Sequence, residues 1–223
     1  MKKFISLLTI TVLHLSYYGY ASEVSLDDHY NSISGQFTLD AFGDDQSHSI
    51  SGSAIANLGG DVLVGTTISY SWVTEVDGVD VSSLDLEESQ LLFGVGYVIK
   101  VSEDFHVVPN IRIGQAEINA LGYHVLDADL SQIGVSLRFN RGTSLSSFGL
   151  YSVEVDNFEL VGGAASYLSS SQQALVENAS GNDIALSYQE MYSVGEGGSY
   201  FGYGLSTTGL ETFSASIILS LNL

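Results

Sequence analysis

Histidine, serine and carboxylate side chains are the residues of this sequence that could perform acid–base or nucleophilic chemistry. The five histidines are spread along the chain, with no two at metal-ligand spacing: His14, His29, His48, His106 and His124. His48 precedes Ser49, and Asp127 and Asp129 follow His124, so a Ser–His–acid or Asp–His arrangement can be drawn. Serine and aspartate are frequent here, and such proximity is expected by chance. We therefore predict no catalytic residue, no cofactor site and no metal site.

Two further motifs have spacing that resembles ligand-binding loops. Gly94-Val95-Gly96 has part of the spacing of a phosphate loop, but it lies inside a strand pattern and not between a strand and a helix. The acidic segment 76–88 could bind Ca²⁺ or Mg²⁺, yet it lacks the Asp-x-Asp-x-Asp-Gly loop. We interpret the first motif as strand and the second as a solvated loop.

Arg112 is a cation placed in the middle of an expected strand. It shares one face with Asn110, and pairing of adjacent strands puts it beside Gln132 or its neighbour. The same counting puts Glu154 at a similar height two strands away, roughly 10 Å distant. Because an unpaired interior charge is costly, we predict an ion pair of Arg112 with Glu154, shared by Glu190, that fills the interior. A gated pore is the alternative.

The first 21 residues have the order of an export signal. Met1-Lys2-Lys3 is basic, the run 4–15 is apolar but short for a membrane-spanning helix, and Gly19-Tyr20-Ala21 supplies small residues for cleavage. We predict a signal peptide over 1–21 and a single mature domain over 22–223. An amino-terminal core helix is the alternative interpretation.

The balance of charge narrows the class of partner. The formal net charge is −20, and the part of the chain after residue 21 keeps four basic residues, Lys100, Arg112, Arg138 and Arg141, against 26 acidic ones. Nucleic acid is excluded as a partner because its binding requires a cationic surface. The sequence contains no cysteine, so neither disulfides nor thiolate metal sites can form.

The last eleven residues, 213–223, alternate strictly between two kinds of side chain. One face is apolar, from Phe213 through Ile217 to Leu223, whereas the other carries Ser214, Ser216 and further small polar residues. No stretch after residue 21 is apolar enough for a spanning helix. An uncharged terminal strand of this length is typical of the closing strand of a membrane β-barrel, with the apolar face toward lipid.

The same alternation recurs along the chain. It predicts ten strands, at about 30–42, 48–58, 62–75, 89–99, 105–118, 130–139, 145–158, 183–194, 200–207 and 213–223. Tyr70 and Trp72 fall at one strand end, where an aromatic girdle belongs. Pro109 requires an edge or an irregularity. The phase of the seventh strand is ambiguous, and a bulge near Gly149 would reconcile it.

The connections alternate in length. Those at 59–61, 100–104, 140–144 and 195–198 are short, whereas those at 76–88, 119–129 and 159–182 are long. This asymmetry is typical of a barrel with short periplasmic turns and longer extracellular loops. The sequence therefore predicts an all-β fold, a transmembrane antiparallel up-and-down β-barrel of about ten strands. Eight strands, with residues 159–210 mostly extracellular, is the alternative.

The signal sequence, the alternating strands and the terminal strand resemble the small outer-membrane β-barrel family that includes the OmpA transmembrane domain, OmpX, Ail and the opacity proteins of Gram-negative bacteria. The resemblance implies localisation in the outer membrane, contact with its lipid and lipopolysaccharide, and recognition of the last strand by the barrel-assembly machinery. That family ends on an aromatic residue, whereas this chain ends on Leu223.

These patterns leave three kinds of function open. The first is a structural, envelope-integrity or surface-adhesion role through acidic extracellular loops, with a possible surface ligand and a monomeric barrel. The second is a narrow diffusion pore, since a ten-stranded interior is only slightly wider than side chains fill. The third is a lipid-modifying enzyme or protease. We expect the first, and no enzymatic activity.

Overall fold

A computed structural model describes residues 25–42, 46–76, 79–167, 169–171, 173, 181–195, 198–208 and 212–223. The predicted signal peptide, residues 1–21, lies outside these residues. Among the residues described, no helix has the length and apolar character needed to cross a bilayer.

Twelve strands and three short 3₁₀ helices make up the described chain. The strands are β1 (Ser32–Phe42), β2 (Gln46–Asn57), β3 (Val62–Val76), β4 (Val79–Asp80), β5 (Leu86–Tyr97), β6 (Ile99–Ser102), β7 (Phe105–Ala120), β8 (Tyr123–Asn140), β9 (Ser144–Leu160), β10 (Gly181–Val194), β11 (Ser199–Thr208) and β12 (Thr212–Asn222). The 3₁₀ helices span Asp28–Tyr30, Ser82–Leu84 and Ala164–Tyr167. The strands β4 and β6 are short additions to the wall, which leaves ten long strands.

The ten long strands close into one antiparallel barrel. Each pairs with its neighbour in sequence, and β12 pairs with β1, from Ser32 opposite Asn222 to Leu39 opposite Ala215. The predicted ten-stranded barrel and its closing terminal strand are therefore confirmed, and the eight-stranded alternative is wrong. Closure matters because it satisfies the backbone hydrogen bonds of both terminal strands without leaving a free sheet edge.

The wall separates an apolar exterior from a polar interior. On β12, Ile217 is 45% exposed and faces outward, whereas Ser216 is 8% exposed and faces the lumen. Outward apolar side chains recur around the wall: Ile33, Phe37, Ile50, Ile68, Leu91, Phe93, Ile111, Ile113, Ile133, Phe148, Leu150, Ile184, Leu205, Leu219 and Leu221. The predicted inside–outside alternation is confirmed.

Aromatic side chains border this apolar band at both ends. Tyr70 and Trp72 form an edge-to-face pair at one end, and outward rings, from Phe105 on Phe139 to Tyr188 near Tyr203, follow one another at the other. Tyr97 pairs with Val62 on β3, and Tyr70 lies eight residues farther along that strand. At the usual rise and tilt this separation is about 20 Å along the barrel axis, close to the height of a lipid-facing band.

We name the two ends of the barrel by their connections. The turn end holds residues 58–61, 103–104 and 141–143, and the loop end holds 121–122 and 161–167. The predicted long loop at 119–129 is wrong: β7 and β8 continue to a two-residue turn, Leu121-Gly122, with positive φ at both positions. These strand ends extend past the apolar band, so their outward residues are polar. The alternation of apolar and polar residues that predicts a strand is therefore absent there.

Two irregularities interrupt the wall. The predicted bulge near Gly149 is wrong, because the β8–β9 register is continuous there and shifts only between Asp127 and Asp129, where Asn157 has φ 51°. Phe148 and Leu150 face outward, and Tyr151 faces the lumen without any slip. Pro109 lies where the pairing of β7 passes from β5 to β6, between Asn110 opposite Gly96 and Val107 opposite Ile99. This irregularity accommodates its missing N–H.

The segment 25–31 precedes the wall and packs across its turn end. Leu26, 2% exposed, lies in a cluster with Leu145, Met191, Tyr200 and Ile218. Tyr30, fully buried, lies in a second cluster with Leu63, Val98 and Val108. These two apolar clusters hold the segment against the inner wall, and we call it the plug.

Candidate functional site

The barrel lumen contains a cavity lined by inward side chains of the long strands. Its volume is about 560 Å³, and its lining extends from Leu26 and His29 of the plug to Thr208 at the loop end. Serine, threonine and amide residues supply half of the lining, which also contains two arginines, Arg112 and Arg138. Among the described residues that form this lining there is no aspartate or glutamate. The described lining of the lumen is thus polar and positively charged, in a strongly acidic protein.

Glycines on the neighbouring strand make room for Arg112. Arg112 pairs with Gly94 on one side and with Gln132 on the other. A Cβ atom on Gly94 would lie 2.8 Å from Cγ of Arg112, so any larger residue there would displace the arginine stem. Gly96 lies in the same way against Asn110. The Gly-Val-Gly motif therefore provides space for lumen side chains, consistent with its interpretation as strand.

Tyr151 lies flat against the wall beside Arg112. A Cβ atom on Gly134 or Gly149 would come within 2.3 Å of the Tyr151 ring, so two glycines form its seat. The Tyr151 hydroxyl hydrogen-bonds to Ser136 Oγ at 2.7 Å, and the Arg112 guanidinium carbon is 5.9 Å from the ring centroid. The flattened ring keeps the cavity open at this height and presents a π face to the cation.

Arg138 occupies the turn end of the lumen under the plug. Its guanidinium carbon is 4.9 Å from the ring centroid of Tyr30. Its Nε and Nη1 atoms are buried without a hydrogen-bond partner among the described residues. Arg138 and Arg112 have no ion pair with any described carboxylate. Two guanidinium groups therefore stand in the lumen without a counter-charge.

The plug separates the lumen from a second cavity. Leu26 and His29 line the lumen, whereas Ser25 and Asp27 line a cavity of about 520 Å³ at the turn end, together with Lys100 and neighbouring turn residues. Lys100 Nζ lies 2.9 Å from Asp27 and 3.5 Å from Asp61. The hydrogen bond with Asp27 raises the pKa of Lys100. This exposed ion pair and the two apolar clusters fasten the plug.

Two plug side chains carry titratable groups into the barrel. The Tyr30 hydroxyl hydrogen-bonds to Nδ1 of His106 on β7 at 2.9 Å. His29 is buried against Tyr200, with ring centroids 5.5 Å apart. Burial, and then the positive charge of Arg138, lower the pKa of His29 to about 4. The closed plug therefore contains a neutral His29 at neutral pH.

The predicted Arg112–Glu154 pair is wrong. Arg112 does face the lumen beside Gln132, but Glu154 is exposed on the outer face. Glu154 lies opposite Ser131, and Leu130 lies opposite Val155, one residue away from the predicted register. A slip of one residue moves a side chain to the other face of a sheet, which explains the error.

Glu190 also faces outward and does not share Arg112. Its register partners are Ser146 and Tyr203, and Tyr203 in turn pairs with the outward Ile217. Glu190 is 4% exposed and accepts hydrogen bonds from Ser144 Oγ and Ser146 Oγ, both at 2.6 Å, and from the Tyr188 hydroxyl. Three hydroxyl donors thus satisfy an acid on the outer wall near the turn end.

The residues considered for catalysis do not form one site. His48 and Ser49 are neighbours on a strand, so they point to opposite faces. His124 Nε2 does lie 2.8 Å from Asp127 Oδ1 at the loop end, whereas Asp129 accepts from Asn157 Nδ2 instead. His106 and His29 are separate members of the plug contacts. In the described part of the chain no three metal-ligating side chains cluster.

The sequence did not single out Arg138, Tyr151 or the plug. Arg138 alternates in phase with Gln132 and Ser136, and this pattern could have identified it as a lumen residue. The face of Tyr151 was left open, because the phase of the seventh strand was ambiguous in sequence. The plug has no periodic pattern, because its contacts are made by single side chains, Leu26, His29 and Tyr30, and not by a strand face.

A closed antiparallel wall, an apolar outer band between aromatic belts and a polar lumen together define a membrane-spanning β-barrel. No protein-family model matches the chain, and no curated protein matches it in sequence.

Solved structures with the same kind of wall are similar to it at low identity. The translocator domain of the autotransporter NalP from Neisseria meningitidis is 11% identical, with a TM-score of 0.46 over 98% of this chain and 95% of that chain. The beta domain of the Bordetella autotransporter Brka is 8% identical, with a TM-score of 0.45 over 86% and 99%. The KdgM porin is 10% identical, with a TM-score of 0.34 over 86% and 99%. At these values none of the three assigns a residue role or an activity to this chain.

Proposed function

We propose that this protein is an outer-membrane β-barrel that forms a narrow passage for small polar solutes, closed on the periplasmic side by the plug. The observation that carries the proposal is the lumen cavity of about 560 Å³, which runs from the plug to Thr208. Many small barrels fill their interior with side chains, but here serines, glycines and a flattened Tyr151 leave it open. The lumen lining is rich in polar side chains, as the permeation of polar solutes requires.

The plug is the barrier in this passage. It contributes Leu26 and His29 to the lumen lining, and it is bound by apolar contacts, by Tyr30–His106 and by the exposed Lys100–Asp27 pair. These contacts involve residues 26–30, and none of them is a backbone hydrogen bond of the sheet. Within the plug, Asn31 accepts hydrogen bonds from the backbone N–H of Asn57, through its Oδ1 atom at 3.0 Å, and of Leu223, through its carbonyl at 2.8 Å. Displacement of residues 25–30 about Asn31 therefore leaves these hydrogen bonds in place and opens the turn end.

Single-channel recording in planar bilayers tests the passage. We expect brief, infrequent openings of the native barrel and prolonged openings of Leu26→Asp, because a carboxylate cannot remain in the apolar cluster of Leu26. Leu84→Asp is the matched control, since Leu84 is 44% exposed at the loop end. Both variants must show the gel shift on boiling that marks a folded barrel. Folded Leu26→Asp protein without conductance would refute the passage.

The orientation is part of the proposal, with the turn end in the periplasm. Protease added to intact cells is expected to cleave within 161–180 before it cleaves at 141–143, since the outer-face connection is reachable and the turns are shielded by the membrane. First cleavage at 141–143 would reverse the orientation.

A surface role in adhesion or envelope integrity is a second candidate, and the outer wall at the loop end favours it. There β7, β8 and β9 present carboxylates that pair directly across strands: Glu117 with Asp127, Asp127 with Glu159, and Asp129 with Asp156. Adjacent like charges destabilise a sheet, so a cationic partner would bind here favourably. Changing Asp129 and Asp156 to Asn should reduce cell adherence without reducing conductance. If the variant left both the adherence and the detergent resistance of the cells unchanged, the surface role in adhesion or envelope integrity would be excluded.

A further inference from the structure

We infer that the lumen wall carries a binding site for small oxyanions at Arg112 and Gln132, an inference that relies on the proposed passage only for the route of the anion. The ligand class is a carboxylate or phosphate group that accepts two hydrogen bonds from one guanidinium. The site lies on the lumen face of two paired strands, where Arg112 of β7 is directly opposite Gln132 of β8.

The charge distribution selects for anions. Arg112 and Arg138 line the lumen, whereas Lys100 lies at the turn end, outside the lumen lining. On β5, the inward carboxylate of Glu88 lies six residues from the Gly94 that pairs with Arg112, about 20 Å along the strand. On β10, Asp183 has the inward parity of Ala185 and lies three strands from Arg112, through Gln132 and Val153, or roughly 14 Å at the usual strand spacing. Neither carboxylate forms an ion pair with Arg112, so an anion beside Arg112 meets a positive charge that is not neutralised by contact with an acid.

The local geometry provides a built site. The stem of Arg112 lies in the notch left by Gly94, and its guanidinium is flanked by the Tyr151 ring, so the group is held against the wall. Beside it the Oε1 atom of Gln132 is buried without a hydrogen-bond partner among the described residues. The amide oxygen and nitrogen of Gln132 have nearly the same shape, and with the two exchanged the unpartnered position holds N–H donors, on the register partner of Arg112. That arrangement suits an oxyanion and leaves a cation unsatisfied.

Arg138 provides a second position in the lumen at which the anion could bind. It lies opposite His106 on β7, six residues from Arg112, or about 20 Å along the strand at the usual rise. Its Nε and Nη1 atoms have no partner while the plug is in place. An anion that leaves Arg112 toward the turn end therefore next meets Arg138, which lines the lumen beneath the plug.

Binding to the detergent-folded barrel tests the site without any need for conduction. Inorganic phosphate and succinate are titrated calorimetrically at constant ionic strength. We expect Arg112→Gln to weaken binding by about tenfold or more, the usual effect of losing a charge-assisted pair. Arg141→Gln, the same change at an exposed turn arginine, should leave binding unaltered. The gel shift on boiling identifies folded samples, and Arg112→Lys, which keeps the charge but not the fork, should weaken binding less than Arg112→Gln.

Reversal potentials across a KCl gradient separate this inference from the proposed passage. A native barrel that conducts anions in preference to cations, with the preference reduced in Arg112→Gln but not in Arg141→Gln, supports both. Phosphate binding that depends on Arg112 in a barrel that never conducts refutes the passage and supports the site. Conductance with equal binding in all variants refutes the site and leaves the passage. Binding of phosphate but not succinate, or the reverse, supports the site and identifies the group it prefers.

Discussion

The Tyr30 hydroxyl and Nδ1 of His106 lie 2.9 Å apart, and their hydrogen bond joins the plug to a wall residue 76 positions farther along the chain. Their rings are stacked, with centroids 5.8 Å apart. Both residues are buried, at 0% and 2% exposure. The plug is therefore positioned by a specific polar contact inside an apolar cluster, and its place across the turn end is encoded by side chains far apart in sequence.

We predict that Tyr30→Phe weakens the closed plug. The ring and its contact with Arg138 remain, but His106 loses its partner, which costs about 1–2 kcal/mol and raises the open fraction about 5- to 30-fold. Single-channel open probability measures the change. Tyr123→Phe is the control, because Tyr123 is 74% exposed at the loop end. An unchanged open probability in Tyr30→Phe would show that the hydrogen bond does not hold the plug.

Acid should open the barrel through His29. The pKa of His29 is lowered to about 4 in the closed plug by burial and by Arg138, whereas a released, solvated histidine titrates near 6.5. The released state therefore binds the proton more tightly, so closure has its full stability above about pH 6.5 and loses stability as the pH falls toward 4. The loss approaches about 3 kcal/mol for this shift.

The pH dependence of open probability between pH 7 and pH 4 checks this prediction. His29→Gln should flatten the profile, since the variant has no proton to gain, whereas His48→Gln, on the outer face, should leave it unchanged. An identical rise in native protein and His29→Gln would assign the effect to other groups.

The sequence predicted the barrel because apolar and polar residues alternate along each strand as its side chains alternate between lipid and lumen. Ile217 and Ser216 are neighbours with opposite environments, and the same contrast repeats on each long strand, so strand number and faces followed from it. The terminal strand was identified because it is uncharged and strictly alternating. Local pattern is sufficient where lipid and lumen select opposite side chains.

Register and lumen contacts could not be predicted in the same way. Counting from an assumed loop centre displaced the β8–β9 register by one residue, and that displacement alone moved Glu154 into the lumen. The bulge at Asn157 lies in a polar stretch, where no alternation of apolar and polar residues exists that a bulge could interrupt. Tyr151 faces inward because Gly134 and Gly149 give it space, and such complementarity joins strands that no local pattern connects.

Arginine on the two faces of β12 should have unequal effects. Ile217→Arg places a charge against lipid and should cost about 2–4 kcal/mol or prevent assembly. Ser216→Arg points into the lumen, where the cavity offers space, and should cost less. Refolding titrations into lipid vesicles give both free energies. Equal costs would mean that the outer band does not face lipid.

The hydroxyl donors of Glu190 should contribute to stability. Ser146→Ala removes one charge-assisted donor from a carboxylate that is 4% exposed, at an expected cost of about 1.5–3 kcal/mol. Ser152→Ala is the control on the same outer face of β9, where the hydroxyl donates to Asn182 in an exposed setting, and should change the unfolding free energy by less than about 0.5 kcal/mol. Similar values for the two variants would show that Glu190 does not need its donors.

Alanine substitutions at two glycines, Gly114 and Gly35, should have opposite effects on stability. The first tests the close packing of two strands, and the second tests the conformational freedom of the unfolded chain. In Gly114→Ala the new Cβ would lie 1.8 Å from the carbonyl oxygen of Leu91, a backbone atom that cannot move without disturbing β5. We expect loss of several kcal/mol or failure to fold. In Gly35→Ala nothing lies within 4 Å of the new atom, and the reduced freedom of the unfolded chain should stabilise by about 0.4–1 kcal/mol. The gel shift on boiling scores folding, and urea titration in vesicles gives the free energies. Comparable stability of the two variants would mean that β5 and β7 are farther apart at Gly114 than the structure places them.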